Sequence, residues 1–370
     1  MELLLNEQQA QLAESAARLC REAGGAARSR ALRDGGTELD ADAWGRIVAA
    51  GWLGMTAAEQ QGGLGLGLLD AALAIEQTGK RLLMVPLTEA IAASWTLSRA
   101  GLGGTALAAL ASHIAGYWLI VPACEPPHWR FGGGQPEPGL SFDPRAMSLS
   151  GGIAFVPFAL PANFFLVATN AGREPALALV DGNSEGLTRA VQGNVDGSTS
   201  ATVSFDNVAV APEYVIARGE AALRLADEMQ DALALLIGVE LLGLASASHE
   251  ITTDYLKLRQ QFGKPIGSFQ ALQHRAVNGM IDIELNRSLI YRVLADFDRA
   301  AHHPAMVPAV KARAARVALE VTRAALQMHG AVGYTDSADI GLYYKRAIAL
   351  AARYGGEINH VARFSELTHA

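Results

Sequence analysis

The sequence predicts an α+β multidomain chain: a helical N-terminal domain over 1–116, a central antiparallel β-domain over 117–217 and a C-terminal four-helix bundle over 218–370. Three observations carry this. Apolar residues recur at helical spacing through the first part of the chain. Short β-branched and aromatic runs, broken by Gly, Pro, Asn and Asp, follow from Tyr117. Long Ala- and Leu-rich segments of helical period return from Glu220. With 50% hydrophobic and 18% charged residues in 370, the chain can bury a sizeable core and is not disordered.

The elements follow in order. In "NEQQAQLAESAARLC", Leu12, Ala16 and Leu19 share one helical face, and Asn6 is placed to cap it. "DADAWGRIVAAGWLG" repeats the pattern, with Asp40 as cap and Gly51 as stop. After the Gly-rich turn "EQQGGLGLGLLD", a helix is expected from about Leu69 to Lys80, and another beyond Pro86. The runs "YWLIVPA", "GGIAFVPFA", "NFFLVAT", "PALALVD", "SATVSFDNVAV" and "EYVIA" are the expected strands of a small antiparallel sheet or barrel. A very long helix from Glu220 breaks near Phe262–Gly263. Two more follow, the second ending at Gly330, and a shorter one surrounds "IGLYYKRAIALAARYGG".

Several classes are excluded. The net charge of −7 is mild and the basic residues are scattered, so no stripe tracks a nucleic acid backbone. Cys20 and Cys124 form neither a disulfide framework nor a CxxC pair, which points to a reduced, cytoplasmic setting. The N-terminus is acidic and amphipathic rather than a leader peptide. The most apolar run, 232–247, reads as too short to span a bilayer and carries Glu240, so no membrane is expected. No HExxH or spaced His/Cys set occurs, so no metal is expected; GxSxG and a phosphate loop are absent too.

Two C-terminal stretches and one buried acid carry chemistry. In "RQQFGKPIG", Arg259 can neutralise a diphosphate, Phe262 offers an apolar face and Gly263 permits close backbone approach; the plain alternative is a helix break with a solvated Arg. "QMHGAVGYT" has the form of a helix C-cap and a tight turn. Glu240 is the one ionisable group in its apolar run and points into the bundle, either as a catalytic acid–base group or as the partner of an Arg or His on a neighbouring helix.

"WGRIVAAGWLGMTAAEQQGGLGLGLLDAALAIEQTGK" (44–80), "FDNVAVAPEYVI" (205–216), "RQQFGKPIGSFQALQHR" (259–275) and "QMHGAVGYT" (327–335), in that order and spacing, resemble the acyl-CoA dehydrogenase family over nearly the whole chain. The resemblance implies a flavoenzyme with FAD and the three-part layout above. The family's reaction oxidises an acyl-CoA thioester to its 2,3-enoyl product, taking an α-proton on a carboxylate and passing a β-hydride to flavin N5. It implies that Arg259, Phe262 and Gln270 touch the adenosine diphosphate of an FAD bound largely by a neighbouring subunit, with Gln327, Gly330 and Gly333 laying backbone against the same diphosphate. It further implies a homo- or heterotetramer with a related dehydrogenase subunit and an electron-transfer-flavoprotein-like acceptor.

The chain departs from the family pattern in two places. The strands that usually face the flavin correspond to "PACEPP" and "AFVPF": Cys124 replaces a hydroxyl, Val156–Pro157 stands where a hydrogen-bonding group belongs, and "HWRFGGGQPEPG" lacks the usual Ser-Asp. The base usually follows Tyr in a Tyr-Glu-Gly sequence, and here that position is Gly355 of "YGGE". Glu357, two residues on, is one substitute, or else a solvated helix start. Glu240 is another, since some members place their base at the position of Leu233, two turns earlier on the same helical face and about 10 Å away. Three readings therefore stand: an α,β-dehydrogenase of a bulky or steroid-derived acyl-CoA, a catalytically silent partner that completes a heterotetramer's FAD site, and a helical scaffold without ligand.

Overall fold

The computed structural model describes residues 5–124, 139–169, 171–172 and 174–369. Ahead of the strands come α1 (Glu7–Ala23), α2 (Ala26–Asp34), α3 (Ala41–Ala49), α4 (Leu68–Lys80), α5 (Leu87–Arg99) and α6 (Gly104–Ile114). Then come β1 (Ile120–Ala123), β2 (Ser141–Asp143), β3 (Ser148–Pro157), β4 (Phe164–Thr169), β5 (Ala171–Gly172), β6 (Ala176–Asp181), β7 (Leu187–Gly193), β8 (Thr199–Ala209) and β9 (Val215–Arg218). The chain continues with α7 (Gly219–Leu258), the hairpin β10 (Gln260–Gln261) and β11 (Lys264–Pro265), then α8 (Gln270–Asp298), α9 (Met306–His329), α10 (Ile340–Ala352) and α11 (Glu357–His369). The helix–strand–helix order is the one expected.

Local chemistry sets the boundaries. Asn6 closes a reciprocal capping box with Gln9 at the start of α1. Asp40 accepts from the Ala43 N–H at the start of α3, and Gly51 ends that segment at φ 74°.

Three expectations need correction. The β-domain is two sheets, ordered β1-β4-β6-β9 and β5-β2-β3-β8-β7, and it is not wholly antiparallel: β1 runs parallel to β4, and β2 to β5. The six expected strands are β1, β3, β4, β6, β8 and β9; β2 and β5 are very short, and the largely exposed "LTRAVQG" of β7 lacks the apolar alternation that marks a half-buried strand. A further helix, α11, starts inside the stretch expected to be a turn. Finally, α7 is long and apolar enough to cross a membrane, but its most apolar 18-residue window is 94% buried, so it is a core helix.

Compactness divides the chain into two units that cut across this order. One holds the chain up to Asp34, Ala72–Leu83 and Ala234 onward; the other holds Gly35–Ala71 and Met84–Leu233. In the first, helical unit, α4 and α7 cross with their backbones touching. A Cβ on Gly79 would run into the Glu240 carbonyl, and one on Gly243 into that of Glu76. The second unit carries both sheets with α3, α5 and α6. There the fully buried His113 of α6 takes the Ile120 N–H on Nδ1 (3.2 Å) and places Nε2 3.0 Å from the Ala90 carbonyl, tying α5, α6 and β1 together.

Candidate active site

Both C-terminal motifs come to one end of the helical unit. Phe262 and Gly263 form a two-residue hairpin turn with φ of 54° and 77°, the left-handed backbone that such a turn requires. Glycine takes it freely, but phenylalanine is strained there, and its ring is left 89% exposed. Below the turn, Ile266 N–H bonds to the Arg259 carbonyl (2.8 Å). Leu256 and Ile266 pack with Met328 of α9 in one apolar cluster. The Tyr255 ring stacks on His329 at 4.3 Å, and its hydroxyl donates to the His329 carbonyl (3.3 Å). Segments far apart in sequence, 259–270 and 327–333, are thereby joined.

Arg259, Phe262, Gln270, Gln327 and Gly330 are exposed, and no described side chain pairs with Arg259. An unpaired guanidinium, the N-terminus of the long α8 at Gln270, an exposed aromatic ring and an open turn with Gly330 at φ 66° fit a diphosphate joined to a planar base. That is the chemistry of the adenosine diphosphate half of FAD. Gly333 is buried, and a Cβ there would lie 3.0 Å from both the Leu326 carbonyl and the His329 Cβ, so the turn packs closely on α9 at this glycine.

The strand expected at the flavin is less suited. Val156 and Pro157 are buried and pair with Ala201 and Ser200 of β8, while the irregular stretch before them turns Phe155 out at φ 58°. "AFVPF" offers no polar side chain. Cys124 is buried just beyond β1; residues 125–138, with the rest of "PACEPP" and most of "HWRFGGGQPEPG", lie outside the described residues.

The carboxylates are committed elsewhere. Glu240 and Arg346 of α10, with side chains 7% and 4% exposed, form an ion pair in which Nη2 donates to Oε1 at 2.7 Å. This is the structural pairing named above as the alternative to a base. Glu357 begins α11 and accepts from Arg316 Nε (2.8 Å) and Nη2 (2.6 Å) near the surface.

At Gly355, the position that the sequence resemblance assigns to the base, the chain is tied into a tight turn. Tyr354 and Gly355 have φ of 55° and 98°, and a Cβ on Gly355 would lie 2.9 Å from Nε2 of His360, which is 3.0 Å from the Tyr354 carbonyl. The fully buried Lys311 of α9 donates to the Ala351 (3.0 Å) and Gly355 (2.9 Å) carbonyls, capping the end of α10. Burial, helped by the nearby Arg353 charge, pushes its ammonium down to about 7.

The sequence reading missed Glu76, although "LAIEQTGK" shows the same signal as Glu240, a lone acid in an apolar helical stretch. Glu76 is buried and accepts from Arg287 Nη1 and the Tyr291 hydroxyl, both at 2.7 Å, with Lys80 at 3.5 Å. Burial alone would raise its pKa; the Arg287 and Lys80 charges and these hydrogen bonds outweigh it and hold the carboxyl below its usual value. Among the described residues no group of three or more His, Cys, Asp and Glu could hold a metal.

Comparison with known proteins identifies the family. The acyl-CoA dehydrogenase C-terminal domain matches residues 223–359, and the acyl-CoA dehydrogenase N-terminal domain matches 6–102. Acyl-CoA dehydrogenase IpdE2 of Mycolicibacterium smegmatis is 29% identical over 80% of this chain and 78% of its own length. Acyl-CoA dehydrogenase FadE34 of Mycobacterium tuberculosis is 27% identical over 94% of this chain, which spans only 46% of that protein. Among solved structures, a variant of the Tcur3481-Tcur3483 steroid ACAD superposes with a TM-score of 0.87 at 27% identity over 98% of both chains. The ChsE4-ChsE5 complex of Mycobacterium tuberculosis shares the fold, with a TM-score of 0.88 at 21% identity over 100% of this chain and 99% of that one. Two family domains in their proper order, on a helix–sheet–helix chain, make this chain a member of the acyl-CoA dehydrogenase family of FAD-dependent oxidoreductases.

Proposed function

We propose that this chain is one subunit of a hetero-oligomeric acyl-CoA dehydrogenase acting on a bulky, steroid-derived thioester, and that it lends an FAD-binding surface without supplying the base from its own Gly355 turn. The observation that carries this is the turn itself: φ of 98°, and a His360 Nε2 2.9 Å from where a Cβ would lie, make Gly355 a strained position for the glutamate the family uses there. FAD, when bound, supplies the hydride acceptor. Arg259 neutralises diphosphate charge, Phe262 covers a planar ring, and Gln270, Gln327 and Gly330 contribute donors and close backbone. The Tcur3481-Tcur3483 steroid ACAD, named for two chains, supports both the substrate class and the paired subunits. The cytoplasm and an electron-transfer-flavoprotein-like acceptor complete the reading, as the family's usual setting.

A second reading, an active homotetramer with Glu240 as base, is favoured by the burial of Glu240 on the long helix and opposed by its pairing with Arg346. The visible spectrum separates the two. The chain should bleach no flavin with a steroid acyl-CoA when alone, and should do so with a related dehydrogenase subunit whether or not it carries Glu240→Gln. Bleaching by the chain alone, abolished in Glu240→Gln, would establish the second reading instead.

A further inference from the structure

The open turn at Gly330–Gly333 leads through 335–339 into α10, and this connection is gripped from α2. Arg33 holds Asp336 with both prongs of its guanidinium, Nη1 to Oδ1 at 2.7 Å and Nη2 to Oδ2 at 2.8 Å. Arg30, one helical turn earlier, donates from Nε to the Asp336 carbonyl (2.9 Å) and from Nη1 to Asp339 Oδ1 (2.7 Å). The grip is relayed to the turn. Thr335 reaches the Val332 carbonyl with its N–H (3.0 Å) and its hydroxyl (2.7 Å), and Ala338 N–H bonds to the Thr335 carbonyl (3.2 Å). Whatever fixes Asp336 therefore fixes the backbone from Val332 onward.

Single exposed ion pairs contribute little, but this one is bidentate, joined to a second arginine and mounted on a helix. The two arginine side chains are only 21% and 22% exposed although both aspartates are largely open to solvent. The hydrogen bonds and charge of Arg33 hold the Asp336 carboxyl down to about 2, so the grip persists across the neutral range. A turn that must present backbone to a diphosphate binds better when it is already ordered, because less entropy is lost on binding.

We propose that Arg30 and Arg33 are positioning residues for the dinucleotide: they pre-order the Gly330–Gly333 turn from outside the two family motifs and so determine how tightly this chain holds FAD. The inference rests on the flavin reading above.

The test uses the full chain, with its partner subunit where one is needed, and two readouts. Arg33→Gln should speed amide exchange at 332–338 in the flavin-free protein by about tenfold while α8 and α9 are unchanged. It should weaken FAD binding, followed by flavin fluorescence, about tenfold. Unchanged exchange, or faster exchange with unchanged FAD affinity, overturns the proposal. If Arg33→Gln loosens the whole bundle, Asp336→Asn decides: it leaves α2 intact, and wild-type behaviour in both readouts would overturn the proposal. Wild-type FAD uptake that Arg33→Gln leaves intact removes only the positioning role; no uptake by the wild-type chain, alone or with a partner, removes the flavin reading and this inference with it.

Discussion

At Gly355, where the proposal has the family's glutamate absent, backbone matters as much as side chain. The residue sits at φ 98° with the His360 ring in the space of its Cβ, and Lys311 holds its carbonyl from the other side. Gly355→Glu should therefore not restore a base. It is expected to lower stability in urea unfolding by roughly 1–3 kcal/mol and to leave acyl-CoA-dependent bleaching where it was. A gain of bleaching would show that the turn relaxes. Glu240 needs a different caution. Removing its charge takes the Glu240 carboxylate away from a buried arginine, so activity of Glu240→Gln has to be read beside its unfolding curve.

At the scale of elements, the crossing of α4 and α7 explains glycines that look out of place. Gly79 and Gly243 lie within helices, where glycine costs up to about 1 kcal/mol relative to alanine. Each lies against a backbone carbonyl of the other helix, leaving no room for a methyl group. Gly243→Ala should consequently destabilise by roughly 1–3 kcal/mol despite its better propensity, a sign that thermal unfolding would reveal. The close approach also lets the short α4 carry Glu76 to Arg287 and Tyr291 of α8 while α7 carries Glu240 to α10, so two buried ion clusters flank one contact. The hairpin β10–β11 illustrates the opposite economy: two residues reverse the chain, and the strain falls on an exposed Phe262.

For the whole molecule, buried charge ties stability to pH. Lys311 is held near 7 when folded, below its ordinary 10.5, so the unfolded chain keeps the proton over a window where the folded chain has lost it. Stability from this group is lowest below about 7 and rises with pH between the two values, by at most about 1.4 kcal/mol per pH unit. Lys311→Met should flatten that rise in urea titrations between neutral and alkaline pH; an unchanged slope would mean that the ammonium stays charged. Asp336 runs the other way: its contribution is complete above the ordinary carboxylate range and is lost as pH falls through about 2.

Much of this fold was legible along the chain. Helical period, Asn6 and Asp40 caps and Gly51 marked the helices because each acts within a few residues. The two C-terminal motifs marked the bundle end at which they meet. Three things were not legible. β7 has too little apolar alternation to read as a strand, and the parallel pairs β1–β4 and β2–β5 depend on which strands meet. The partners of Glu240, Glu76, Lys311 and Asp336 likewise lie on helices distant in sequence. The sequence by itself determined the family and the order of elements, since those are carried by local pattern. Only the tertiary structure decided that Glu240 is spent on Arg346 and that the "YGGE" turn is closed around His360 and Lys311, because a buried charge's role is set by what packs against it.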